Sequence, residues 1–143
     1  MSRFVRPETE RLDLTDGDYL VVKRRLTAGE QRRAFNRVIK IMRVGPDGRP
    51  TVPEIDPAAI GLGRMVEYLL DWSLVDDNNR VVPIRDQPAA VVEAALLALD
   101  PVSFAEIDEA IVAHEKSQAE LLDAEKKSRG TGSKLSVISS SAG

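Results

Sequence analysis

The chain has 143 residues, of which 43% are hydrophobic and 30% charged, with a net charge of −3 and no cysteine. That length accommodates one domain with a modest core, and the lack of cysteine excludes disulfides, thiolate metal sites and a cysteine nucleophile. No apolar leader opens the chain and no run approaches about 18 apolar residues, so neither a signal peptide nor a membrane span is expected.

The charge is unevenly spread. Residues 1–50 carry 12 basic against 7 acidic side chains, and residues 51–143 carry 8 against 16. A chain polarised in this way can present opposite faces to different partners or associate with itself head to tail, and it can equally be no more than solvated surface.

Residues 1–10 read as an irregular lead-in, with Pro7 interrupting any ladder. Arg11 to Leu14 alternate polar and apolar, Asp16-Gly17 supplies turn chemistry, and Asp18 to Lys23 contain a β-branched run; together they predict a β-hairpin. Thr27-Ala28-Gly29-Glu30 is a capping box. Behind it Ala34, Phe35, Val38, Ile39 and Met42 share one helical face, with Arg32, Arg33, Arg37, Lys40 and Arg43 on the rest, for a first helix over 28–43. Gly45 to Pro50 ends it in a turn, and Thr51 to Glu54 are extended at most.

Asp56-Pro57 opens a second helix. Leu62, Met65, Val66, Leu69, and Trp72 or Ser73 recur at three and four residues, so one face is buried and the helix runs on into the Asp76 turn, while Leu70 and Leu74 widen the apolar face beyond what a surface helix needs. Gly61 and Gly63 each cost about 1 kcal/mol against Ala within a helix, and indicate either a frayed first turn or the close approach of another backbone. Asp76 to Asn79 form a polar turn before a short apolar strand, Val81-Val82, closed by Pro83. Asp86 and Pro88 start a third helix, Pro88 to Leu99, whose composition predicts heavy burial; Asp100-Pro101 stops it. A second capping box, Ser103 to Glu106, opens a last helix over 103–127 that turns acidic from its midpoint. The Ser/Gly-rich residues 128–143 are expected to be disordered.

The candidate chemistry is thin. His114 has no second histidine or cysteine to complete a metal site, so a structural role is expected. Asp76-Asp77-Asn78-Asn79 has the density of a calcium loop, but Val81 stands where an EF-hand needs Gly and Gln87 where it needs Glu. Gly61-Leu62-Gly63-Arg64 lacks the spacing of a phosphate loop. The Arg ridge of the first helix, with Lys23-Arg24-Arg25, could meet phosphates, yet no nucleic-acid-binding motif accompanies it. Trp72 (the single tryptophan) and Tyr68 are either core or a partner anchor.

In the order of its elements the chain resembles the tail assembly chaperones of long-tailed bacteriophages. The resemblance rests on the hairpin leading into a basic helix (Asp18 to Val38), on Tyr68-Leu69-Leu70-Asp71-Trp72-Ser73-Leu74, and on Asp76-Asp77-Asn78-Asn79-Arg80-Val81-Val82-Pro83-Ile84. A Leu-rich helix and an acidic last helix follow. It implies a non-enzymatic protein without cofactor or metal, acting in the host cell cytoplasm and absent from the mature virion. Its partner would be the helical tape-measure protein, and a frameshifted longer form, for which the Lys126-Lys127 codons could serve, would recruit the tail-tube protein.

The expectation is therefore an α+β domain at 11–127, an N-terminal β-hairpin followed by about four helices. Partner contacts are assigned to an apolar groove at Tyr68, Leu69, Trp72 and Leu74, flanked by Arg32, Arg33 and Arg37. A structural minor tail or head–tail joining protein is the first alternative, and a small nucleic-acid-binding regulator the second.

Overall fold

Asp16 and Gly17 decide the first piece of structure. Both take left-handed backbone angles, φ 59° and 79°, in the short 3-10 turn that joins strand β1 (Thr9–Asp13) to β2 (Tyr19–Lys23). The Asp18 amide donates to the Thr15 carbonyl at 3.2 Å and the Leu14 amide to the Asp18 carbonyl at 2.8 Å. The antiparallel register runs from Thr9 opposite Lys23 to Asp13 opposite Tyr19. Period-two alternation puts Leu20 and Val22 wholly inside, while on the outer face the Arg11 guanidinium lies 4.0 Å from the centre of the Tyr19 ring. The hairpin is as expected.

The computed structural model describes the backbone of residues 2–40 and 57–142 and the side chains of residues 2–37 and 61–127. The expectations for Val38, Ile39, Lys40, Met42, Arg43, the turn at 45–50, the stretch 51–54 and the Asp56 cap lie outside these limits, and that for 128–143 lies beyond the described side chains. After the hairpin come α1 (Ala28–Lys40), α2 (Pro57–Tyr68), β3 (Leu69–Trp72), α3 (Ala89–Leu97) and α4 (Pro101–Ala142). The fold is α+β, with a three-stranded antiparallel sheet in the order β1-β2-β3. By contacts the chain divides into two units, Met1–Ile111 and Val112–Gly143.

The main correction concerns residues 69–72. The second helix ends at Tyr68, and Leu69 to Trp72 form a strand that pairs with β2. The apolar spacing misleads here for a definite reason. Leu20 faces Trp72, Val21 faces Asp71, and Val22 faces Leu69, so Leu70 has no partner across the ladder. This bulge brings Leu69 and Trp72, three residues apart, onto the same inner face, where both are buried. A bulged strand therefore displays the i, i+3 spacing of a helix.

Past β3, the Ser73 amide donates to the Tyr19 carbonyl at 3.1 Å. The Ser73 hydroxyl accepts from the Tyr19 amide at 2.9 Å and donates to the Asp18 carboxylate at 3.0 Å. Val75 and Val81 then form an isolated antiparallel bridge around the polar turn. In that turn the Asp76 carboxylate accepts from the amides of Asn78 and Arg80 at 2.9 and 3.1 Å, and Asn79 sits at φ 60°. Asp and Asn tolerate this conformation as few other residues do, and the turn expected there is present. Its far arm lies over the tryptophan, whose Nε1–H donates to the Val82 carbonyl at 2.8 Å.

The core gathers Leu20, Val22, Leu26, Leu62, Met65, Val66, Tyr68, Leu69, Trp72, Ile84, Val92, Leu96, Ile107 and Ile111. Three helix expectations need correction. In α1, Phe35 is 64% exposed, outside the face that meets α2. α3 is only half as buried as its composition implies: Val92 and Leu96 are inside, while Val91 and Leu97 are exposed. And α4 starts at Pro101, not Ser103. Asp100 provides its cap, accepting from the Ser103 amide at 2.8 Å and the Ser103 hydroxyl at 2.7 Å; these bonds hold its carboxyl below the usual range. Glu106 is thereby released from capping. It accepts instead from the amide and hydroxyl of Thr15 at 2.7 and 3.1 Å, tying α4 to the hairpin turn.

Of the two readings of Gly61 and Gly63, Gly63 takes the second. A Cβ there would stand 2.5 Å from the Ala34 carbonyl oxygen of α1. A Cβ at Gly61 would meet the Asp108 carboxylate at 2.8 Å, and that carboxylate pairs with Arg64 at 3.4 Å. In the second unit His114 and Gln118 are buried, most other described side chains are exposed, and Lys127 pairs with Asp123 at 3.6 Å.

Three stability outcomes follow. Gly63→Ala removes a helix-interior glycine, which alone would stabilise by up to about 1 kcal/mol, but the clash with a backbone carbonyl reverses the sign, and urea unfolding is expected to show a net loss of about 1–3 kcal/mol. Trp72→Ala is expected to cost about 3–5 kcal/mol in the same assay, and Trp72→Phe about 1–3 kcal/mol from the stranded Val82 carbonyl.

Candidate functional site

Thr27, Glu30 and Arg33 recur every third residue, and so share one side of the first turns of α1. The helix opens with the predicted reciprocal cap. The Glu30 amide donates to the Thr27 hydroxyl at 3.1 Å and the Thr27 amide to the Glu30 carboxylate at 2.8 Å. The other carboxylate oxygen of Glu30 takes a hydrogen bond from the Lys23 ammonium at the end of β2. Partial burial pushes the Glu30 carboxyl up, but the bonds from Lys23 and Thr27 outweigh it and hold the group below its ordinary value of 4.5.

These side chains form one wall of an open groove of about 380 Å³. Val5, Arg6, Pro7 and Glu8 of the lead-in face them, with Thr9, Lys23 and Arg25 alongside, and Leu70 supplies apolar floor from β3. Leu70 is available because the bulge denies it a place in the ladder. Four cations (Arg6, Lys23, Arg25 and Arg33) stand around the groove against two carboxylates, Glu8 and Glu30. Lys23 is engaged with Glu30, and Arg33 reaches Glu67 at 3.3 Å. Arg6 and Arg25 form no ion pair with any described residue. Phe4, next along the lead-in, is 89% exposed.

The expected partner-binding residues are differently placed. Tyr68, Leu69 and Trp72 belong to the core, so a groove lined by them does not form. Leu74 is half-buried against that core. The reason is scarcity: with few aromatics, the interior takes the large side chains first. The arginine ridge is divided. Arg32 is exposed, and Arg33 rims the groove. Arg37 is drawn inward, its Nε 3.9 Å from the buried Glu67 carboxylate and its Nη1 3.4 Å from Glu93 of α3. Arg33, Arg37, Glu67 and Glu93 thus link α1, α2 and α3, and two of the three ridge arginines serve the fold. Residues that periodicity did not single out, Val5, Arg6, Arg25 and Leu70, line the groove instead. The one signal for Leu70 was surplus: it made the second helix's apolar face too wide.

Among the described residues no group of three or more His, Asp or Glu side chains is arranged to hold a metal ion, and no helix is long and apolar enough to cross a membrane. The site is thus an apolar trough with a cationic rim on an α+β unit. Comparison with protein-family models, curated proteins and solved structures gives no match.

The Lys23–Glu30–Thr27 cluster has a pH signature. Because the folded Glu30 carboxyl titrates below 4.5, its contribution is complete above the unfolded value and is lost as pH falls through the folded one. Glu30→Gln is therefore expected to be less stable than the parent by about 1 kcal/mol at neutral pH, the scale of a lost cap. Urea midpoints taken down the acid limb should converge as the pH drops below 4.5.

Proposed function

We propose that this chain is a tail assembly chaperone of a long-tailed bacteriophage. It holds segments of the tape-measure protein in the host cytoplasm before tail-tube subunits polymerise around them, and it is left out of the finished particle. The reading rests on the resemblance in element order, and the observation that carries it is the groove. Apolar floor at Val5, Pro7 and Leu70 lies open beside Arg6 and Arg25, which form no ion pair with any described residue. A client side chain of Leu or Ile size laid there gains roughly 1.5–3 kcal/mol from leaving water. Several such contacts along a long helix would hold it reversibly, since shallow sites gain strength by repetition. The rim adds orientation more than affinity.

The role asks for no bond making or breaking. It asks for a surface that shields an aggregation-prone helix and then lets go. A contribution of Trp72 to client contact is not part of the proposal, because the core holds that side chain.

The test is co-expression with the tape-measure protein of the same phage and capture through a tag on this chain. Intact protein is expected to retain the client, Leu70→Asp to lose most of it at unchanged circular dichroism, and Arg32→Ala to behave as the parent. Failure of the intact chain to retain the client would end the reading. Retention by Leu70→Asp at the parental level would move the contact away from the groove.

A further inference from the structure

α3 leaves one side uncovered, and that side carries no charge. Ala90, Val91, Ala94, Leu97 and Ala98 are all exposed, and at 3.6 residues per turn they fall within an arc of about 120°. Val91 is 41% and Leu97 61% exposed, and the apolar surface runs on past the corner into α4, where Val102 is 78% exposed. Between Ala89 and Ala105 the one exposed charged side chain is Asp100. A solvent-facing helix side holds charged and polar residues, and a continuous apolar strip marks a surface that another molecule covers.

The charges along the strip have one sign. From residue 81 to residue 111 the only cation is Arg85, against Asp86, Glu93, Asp100, Glu106, Asp108 and Glu109. Glu93 is engaged by Arg37, Asp108 by Arg64 and Glu106 by Thr15. Asp86, Asp100 and Glu109 are exposed and form no ion pair with any described residue. Asp86 precedes α3, Asp100 stands at the corner, and Glu109 lies one turn beyond Ala105 on the exposed side of α4.

We infer that this side of α3, with the first turns of α4, is a docking surface for a basic amphipathic helix of another protein. Ala90, Ala94 and Ala98 leave a shallow row in which the apolar ridge of a partner helix lies close, and Val91, Leu97 and Val102 add apolar area beside it. The row is about 12 Å long, the rise of roughly two helical turns. Lysine or arginine on the partner's flanks meets the three carboxylates, which fix its direction and turn away anionic lipid and nucleic acid. The surface shares no residue with the groove, and the inference does not rest on the chaperone reading.

The probe is a fluorescent, helix-stapled peptide of about four turns, with leucines on one face and lysines on its flanks, titrated with the full chain and read by anisotropy. A scrambled peptide of the same composition is the control. The parent is expected to bind the helical peptide saturably and the scrambled one not at all. Ala94→Arg, which sets a long cation in the row, should abolish binding. Leu97→Gln should weaken it about tenfold, the scale of one leucine contact withdrawn from water. Asp86→Asn with Glu109→Gln should weaken it about threefold and flatten its salt dependence; Asn suits the left-handed backbone at residue 86, φ 57°. Leu70→Asp, in the groove, should bind as the parent does. Circular dichroism of each variant separates a lost fold from a lost contact. The inference is overturned by a parent that does not bind, by equal binding of the scrambled peptide, by undiminished binding in Ala94→Arg or Leu97→Gln, by unchanged salt dependence in the carboxylate variant, or by loss in folded Leu70→Asp. It is also overturned if the surface is covered by a second copy, seen as growth in sedimentation that Ala94→Arg abolishes, or by lipid, seen as flotation with phosphatidylcholine vesicles that Ala94→Arg abolishes.

Discussion

A strand alternates its side chains strictly, so two residues three apart cannot both face a core unless the ladder skips one. This chain needs both Leu69 and Trp72 inside, and the skip at Leu70 is how it gets them. Much else follows from that one irregularity. The indole reaches the interior and holds the 73–82 segment down through Val82. The displaced Leu70 comes out on the other side, where the sheet meets α1, and floors the groove. A regular strand would have sent Trp72 or Leu69 outward and left the groove without Leu70.

Charge is used at two levels. Inside the first unit, carboxylates on later elements reach back to earlier ones: Glu106 to the hairpin turn, Asp108 to Arg64, Glu67 and Glu93 to the arginines of α1. The pairs of Glu67 and Glu93 with Arg33 and Arg37 consume part of the basic surplus of residues 1–50 and part of the acidic surplus of the remainder. They fix orientation more than they add stability, since exposed pairs contribute little and buried ones must first lose water. What is left over is cations at the groove and carboxylates along the far part of α4.

The sequence was most legible where local chemistry is self-sufficient. The Asp-Gly turn, the Thr27–Glu30 cap and the Asp76–Asn79 turn each depend on residues within a few positions of one another, and all three are present. It was least legible where the decision is made across the chain. Nothing near Leu69 announces that β2 will pair with it, and a bulged strand carries the same spacing as the helix it follows. Ser103 and Glu106 satisfy the capping pattern, yet Asp100 takes the cap and Thr15 takes Glu106. Burial of α3 could not be read from composition, because only the packing decides which of its apolar faces is covered. The candidate site shared this fate. Of its rim arginines Arg33 was in view as part of a ridge, with Arg25 beside it, but Arg6 was not, and its floor depends on a register that only the third strand reveals.

The contact between Thr15 and Glu106 spans 91 positions. Closing so long a segment costs roughly 2–3 kcal/mol more entropy than closing the hairpin that contains Thr15, and β3 must likewise travel back to β2 from far along the chain. Local pieces such as the hairpin and the capped start of α1 can come and go early, but the arrangement that seals them waits for distant material. A fragment ending before α4 would therefore retain its turns and lack the latch that holds them shut.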